Sequence, residues 1–119
     1  MSNKILIIED DLDTQFLFTE ILEEEGYRVI SKININDALE FCNTHPLPDM
    51  IFLDLNFPDG TPEEFTKEFR KIPGTSKIPI VLISGKADIA DYAKRLGAKS
   101  FLRKPFEIDP LLNLVSSFI

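Results

Sequence analysis

Short apolar runs alternate along this chain with stretches whose apolar residues recur every three or four positions. Residues 5–8, 50–53 and 78–83 are brief runs rich in β-branched side chains, the pattern of strands covered on both faces. Residues 27–31 and 100–103 are weaker versions of the same pattern and are expected nearer the sheet edges. Residues 13–25 carry Leu17, Phe18, Ile21 and Leu22 at helical spacing, with Gly26 as the stop. Ala38, Leu39 and Cys42 mark a second helix, capped by Asn34 or Asn36 and ended before Pro46. Thr61-Pro62-Glu63-Glu64 opens a third: Thr61 can cap, Pro62 suits the first helical position, and Glu64 can reach back to the cap. A fourth helix is predicted over residues 87–96, stopping at Gly97. A fifth opens at Asp109-Pro110 and runs to the last residue.

The order strand–helix, five times over, predicts an α/β fold: a five-stranded parallel sheet with helices on both faces, joined by right-handed crossovers. The 119 residues fit a single domain, 1–119, with no internal linker, repeat or low-complexity segment. In such sheets ligands sit beyond the carboxyl ends of the strands, so the residues following each strand matter most.

Composition narrows the field. Thirteen basic residues against twenty acidic ones give a net charge of −7, which argues against direct nucleic-acid binding. Cys42 is the sole cysteine, so an internal disulfide is impossible and a reducing, cytoplasmic compartment is expected. One cysteine and one histidine, His45, exclude a zinc site built from such ligands. No apolar run approaches the roughly 20 residues of a membrane span. Lys4 followed by only four apolar residues and three acids is no signal peptide.

The predicted strand ends gather a distinctive set of side chains. Glu9, Asp10 and Asp11 follow the first strand, and Asp54 follows the third, two residues before Asn56. Ser84-Gly85 follows the fourth, and Lys104-Pro105 the fifth. Clustered carboxylates repel one another, so such a cluster is rarely a stabilising device. A divalent cation relieves the repulsion, and hard oxygen ligands with water suit Mg²⁺. A carboxylate can also attack phosphorus to give an aspartyl phosphate. Lys104 would then neutralise charge on the phosphoryl group while Ser84 donates a hydrogen bond to it.

These segments resemble the receiver domain of two-component response regulators, the CheY-like family. The resemblance rests on Lys4-Ile-Leu-Ile-Ile-Glu-Asp-Asp11, Met50-Ile-Phe-Leu-Asp-Leu-Asn-Phe-Pro-Asp-Gly60, Ile78-Pro-Ile-Val-Leu-Ile-Ser-Gly85 and Ser100-Phe-Leu-Arg-Lys-Pro-Phe106, and it covers essentially the whole chain. It implies a flavodoxin-like (βα)5 fold with strand order 2-1-3-4-5. It implies Asp54 as phosphoacceptor, and Asp10, Asp54 and the Asn56 carbonyl as Mg²⁺ ligands. Glu9 would act on the metal mainly through water. Ser84 becomes the switch hydroxyl, Phe101 the switch aromatic and Lys104 the phosphoryl-binding cation, with a cis peptide at Lys104-Pro105. The implied partners are a sensor histidine kinase or phosphotransfer protein, and then a downstream protein or an effector domain outside the chain. The implied catalysis is limited to the domain's own aspartyl phosphorylation and dephosphorylation.

Three positions depart from the family pattern. Glu9 replaces an Asp, Pro62 stands where Gly is common, and the interval from Ser84 to Lys104 is about two residues short, which points to a shortened fourth helix. Taken singly, each rim residue has an ordinary structural reading. An acidic triplet can simply face a helix N-terminus, Ser84 can cap, Lys104 can be a surface charge, and Phe101 can merely pack. Cys42, four residues from Ala38, reads as a small buried side chain, and His45 as a helix-end or solvent residue.

In the last helix Leu111, Leu114, Val115 and Phe118 form the expected core face. Leu112 and Ile119 fall to one side, and an exposed apolar strip there would be a partner or homodimer surface. The alternative function is a receiver-like binding module that never uses its phosphosite. A phosphatase of the haloacid-dehalogenase type fits less well: it needs a second Asp where Asn56 stands, and the chain has no room for a cap domain.

Overall fold

The computed structural model describes residues 3–119. Their elements alternate in chain order: β1 (Lys4–Ile8), α1 (Leu12–Glu24), β2 (Arg28–Lys32), α2 (Ile35–Thr44), β3 (Met50–Asp54), α3 (Pro62–Arg70), β4 (Ile80–Ser84), α4 (Ile89–Leu96), β5 (Ser100–Arg103) and α5 (Ile108–Phe118). The strands form one parallel sheet in the order β2-β1-β3-β4-β5. This is the expected α/β architecture, with the two weakly apolar strands at the edges.

The apolar runs explain the layering. Side chains alternate across a strand. Leu6, Ile8, Ile51, Leu53, Ile80 and Leu82 therefore face one side, where they pack with residues of α2, α3 and α4. Ile5, Ile7, Met50, Phe52, Val81 and Ile83 face the other and pack with α1 and α5. Strands β3 and β4 are buried along their whole length. No helix among the described residues is long and apolar enough to cross a membrane.

Helix ends follow local chemistry. Asn34, not Asn36, caps α2 by accepting from the Asp37 N–H at 2.8 Å. Thr61 and Glu64 form the capping box of α3 with Pro62 as its first residue. Gly97 ends α4 in a left-handed conformation, φ 80°, that costs a side-chain-bearing residue steric strain.

Several boundaries and faces differ from the pattern. Strand β4 begins at Ile80 because Pro79 cannot donate to a ladder. Helix α4 begins at Ile89 rather than at residue 87 and is only eight residues long. Helix α5 begins at Ile108, one residue before the predicted start. Phe118, assigned to the core face of α5, is 37% exposed, and Leu17 of α1 is 48% exposed: the sheet covers a narrower stripe of each helix than its apolar residues span. In α5, Leu111 and Val115 are buried while Leu112, Leu114 and Ile119 are half-buried against the α1–α5 core.

Candidate functional site

Because all the strands run parallel, their carboxyl ends share one rim, and the site is assembled there. Glu9 continues β1: its N–H donates to the Lys32 carbonyl at 3.0 Å and its side chain is fully buried. The Gln15 amide in α1 donates to the carbonyls of Glu9 (3.2 Å) and Lys32 (3.3 Å), closing the β1–β2 end. Asp54 is the last residue of β3 and is nearly buried, with Oδ1 accepting from the Leu55 N–H at 2.7 Å. Ser84 ends β4, buried, its Oγ accepting from the Lys86 N–H at 3.0 Å. The Lys104 N–H donates to the Ser84 carbonyl at 2.9 Å, which lays the lysine beside β4, and its bond to Pro105 is cis as expected. Asp10 and Asn56 are exposed at the mouth.

Glu9, Asp10 and Asp54 can each present one carboxylate oxygen such that all lie within 4.8 Å of one another. The Lys104 ammonium reaches in from β5, 2.5 Å from Glu9 Oε1 and 3.5 Å from Asp54 Oδ2. Burial, followed by the neighbouring Asp54 carboxyl, pushes Glu9 up to about 8 against the downward pull of Lys104. Burial works to lower the Lys104 ammonium, but Glu9 and Asp54 outweigh it and the net direction is up. This is a charge-frustrated cluster: carboxylates crowd against one ammonium, and burial itself favours a proton on Glu9. Oxygen donors on an open rim suit a hard, partly hydrated cation, and the acids fit Mg²⁺. A cavity of about 520 Å³ runs from Asp10 past Asn56 to Thr61 and leaves room for its water.

Comparison with known proteins shows the family. Residues 5–116 match the response regulator receiver domain. The chain belongs to that family. It is 30% identical to Sporulation initiation phosphotransferase F of Bacillus subtilis (strain 168) over 119 residues, spanning 100% of this chain and 95% of that protein. A putative response regulator from Chloroflexus aurantiacus superposes with a TM-score of 0.90 at 27% identity, covering 99% of this chain and 98% of that one. The chemotaxis response regulator CheY4 of Vibrio cholerae gives a TM-score of 0.90 at 25% identity, with 100% of both chains covered. Receiver domains are signalling domains of two-component systems and work with histidine kinases or phosphotransfer proteins. The flavodoxin-like fold expected from the resemblance is present throughout.

Within this receiver domain, Glu9, Asp54 and Lys104 meet directly, while Ser84 and Phe101 stand on the β4–β5 side. Phe101 is half-buried and packs against the α2–α4 core. The Arg103 guanidinium lies 5.4 Å from its ring centre and donates to the Lys86 and Ala87 carbonyls, both at 3.4 Å. Arg103 thus touches both the ring and the loop after Ser84. Asp11 is the N-cap of α1, accepting from the Thr14 N–H at 3.3 Å, the ordinary reading of an acid at a helix start.

Cys42 is buried, as expected for a packing side chain, and burial pushes its thiol up to about 11, which disfavours the reactive thiolate. His45 follows α2, with its ring stacked on Phe41 at 4.6 Å. Three residues that bind the rim together were not singled out from the sequence: Gln15, Arg103 and Asp59. Asp59 accepts from the Ile35 N–H (3.1 Å) and the Asn36 N–H (2.9 Å). Its Pro-Asp-Gly context signals a turn, but nothing local names a partner 24 residues upstream.

Proposed function

We propose that this receiver domain accepts a phosphoryl group on Asp54 from a histidine kinase or phosphotransfer protein, with Mg²⁺ as cofactor, and that phosphorylation resets a protein-binding surface. The observation that carries the reading is a nearly buried carboxylate, Asp54, with a lysine ammonium 3.5 Å away and two further acids beside it. A buried acid so placed is costly for stability and well suited to phosphoryl chemistry.

A carboxylate oxygen of Asp54 attacks phosphorus, the P–N bond of the donor phosphohistidine breaks, and its electron pair and a proton go to the leaving imidazole. The product is a mixed anhydride. Attack of water on phosphorus returns the Asp54 carboxylate and inorganic phosphate, so the domain turns over only its own acyl phosphate. Glu9, Asp10, Asp54 and the Asn56 carbonyl would hold Mg²⁺, with Glu9 acting through water. When bound, the metal supplies positive charge opposite the phosphoryl oxygens.

Lys104 exchanges Asp54 Oδ2 for a phosphoryl oxygen. Ser84 Oγ already accepts from Lys86, which leaves its own proton free to donate to the phosphoryl group. Drawing Ser84 inward pulls on the loop that Arg103 ties to Phe101, and the ring follows into the space released. Residues 1–119 act as one receiver domain, and the effector is a separate protein or a domain outside these residues.

Intact-protein mass after incubation with a small acyl-phosphate donor tests the reading. One added phosphoryl group that needs Mg²⁺ and is lost in Asp54→Asn supports it. Failure to label wild-type protein that binds Mg²⁺ contradicts it and favours a phosphorylation-independent binding module.

A further inference from the structure

We propose that Asp59 is a positioning residue for the Mg²⁺ site: by pinning the β3–α3 loop to the first turn of α2, it sets the direction of the Asn56 carbonyl. The inference rests on reading that carbonyl as a metal ligand. A backbone carbonyl cannot be aimed by its own side chain, so its direction depends on where the two ends of its loop are held. One end is held at Leu55, whose side chain is buried and whose N–H donates to Asp54 Oδ1 at 2.7 Å. The other is held at Asp59, three residues after Asn56, by paired hydrogen bonds to the N–H groups of Ile35 (3.1 Å) and Asn36 (2.9 Å). Between them Pro58 restricts the backbone, and Phe57 and Gly60 close the turn with an antiparallel bridge.

The first N–H groups of a helix have no partner within it. In α2 the work is divided. Asn34, its own cap, takes the Asp37 N–H at 2.8 Å, while Asp59 takes the N–H groups of the first two residues. A purely helix-stabilising pair would make the two caps equivalent. They differ in one respect: only Asp59 belongs to the loop that carries Asn56. Losing Asn34 weakens the helix, whereas losing Asp59 also frees the loop. Supporting groups of this kind typically change metal affinity by about 10- to 100-fold.

The experiment titrates the ¹⁵N-labelled chain of residues 1–119 with MgCl₂ and follows the amide of Phe57, which shares its peptide unit with the Asn56 carbonyl. Asp59→Ala is expected to raise the Mg²⁺ dissociation constant about tenfold and to shift the Phe57 amide before metal is added. Asp59→Asn, which keeps one acceptor oxygen, is expected to fall between Asp59→Ala and wild type. Asn34→Ala is expected to lower the melting temperature yet bind Mg²⁺ as wild type does. Wild-type affinity in Asp59→Ala overturns the inference. So does an equal loss in Asn34→Ala, which would assign the effect to the helix alone. Wild-type protein that binds no Mg²⁺ overturns the metal reading itself, and that outcome is visible before any variant is compared.

Discussion

The Lys104 ammonium stands closer to Glu9, at 2.5 Å, than to Asp54, at 3.5 Å. The extra methylene of a glutamate at this position lets its carboxylate reach the lysine, so one cation serves two acids. Glu9 is fully buried, and besides the ammonium its carboxylate accepts one hydrogen bond at Oε2, from the Asp11 N–H at 3.4 Å. Above about pH 8, where Glu9 loses its proton, Lys104→Ala is therefore expected to destabilise the metal-free domain by about 2 kcal/mol, below the usual figure for a fully buried pair because the lysine is partly exposed. Mg²⁺ should raise the melting temperature of the variant more than that of wild type. Melting curves with and without Mg²⁺ decide it, and an equal rise in both would contradict the pairing.

Glu9 also gives the domain a pH dependence with a definite sign. Its value in the fold, about 8, lies above its ordinary 4.5. Between the two, the native state keeps a proton that the unfolded chain has released. Metal-free stability contributed by this group is thus full below the ordinary value and is lost as pH rises toward 8. Lys104 is shifted upward from a value already near 10.5, so it titrates outside this window. Urea midpoints measured in chelator at about pH 5 and about pH 8 should fall in wild type, and the fall should be smaller in Glu9→Gln.

Phe18 links the rim to the core. Its ring centre lies 5.2 Å from that of Phe52 in β3 and 4.4 Å from that of Phe106, two residues after Lys104. It is wholly buried. Phe18→Ala is expected to cost about 3–5 kcal/mol, a large share of the roughly 5–15 kcal/mol available to a domain of this size. Phe18→Leu should cost much less. Denaturant unfolding measures both.

Arg103 is exposed, yet it holds the Lys86 and Ala87 carbonyls. Arg103→Ala should change global stability by no more than about 0.5 kcal/mol while speeding hydrogen exchange at the Lys86 amide. Unchanged exchange there would mean that the guanidinium does not restrain the loop.

Much of this arrangement was legible in the chain, for identifiable reasons. Strand ends are announced by apolar runs that stop, and Glu9, Asp54, Ser84 and Lys104 each stand where one stops. A parallel sheet then brings those ends to one rim without further information. What could not be read is which rim residues touch. Lys104 and Glu9 are 95 residues apart, and only the folded geometry shows the lysine favouring Glu9 over Asp54. Asp59 was invisible for the same reason. The exposure of Phe118 differs from the expected core face because helical spacing reports a face and not how much of it the sheet covers. The exposed apolar side chains also include Leu12, Phe16 and Leu17 of α1.

The most direct test of the account is to locate the phosphoryl group chemically. Borohydride reduces an acyl phosphate to the alcohol, so an aspartyl phosphate becomes homoserine, which tandem mass spectrometry can place on the sequence. After treatment with an acyl-phosphate donor and Mg²⁺, homoserine is predicted at position 54 and at no other aspartate, and omission of Mg²⁺ should abolish it. Homoserine at another aspartate, or undiminished labelling in Asp54→Asn, would contradict the assignment of Asp54 as the acceptor.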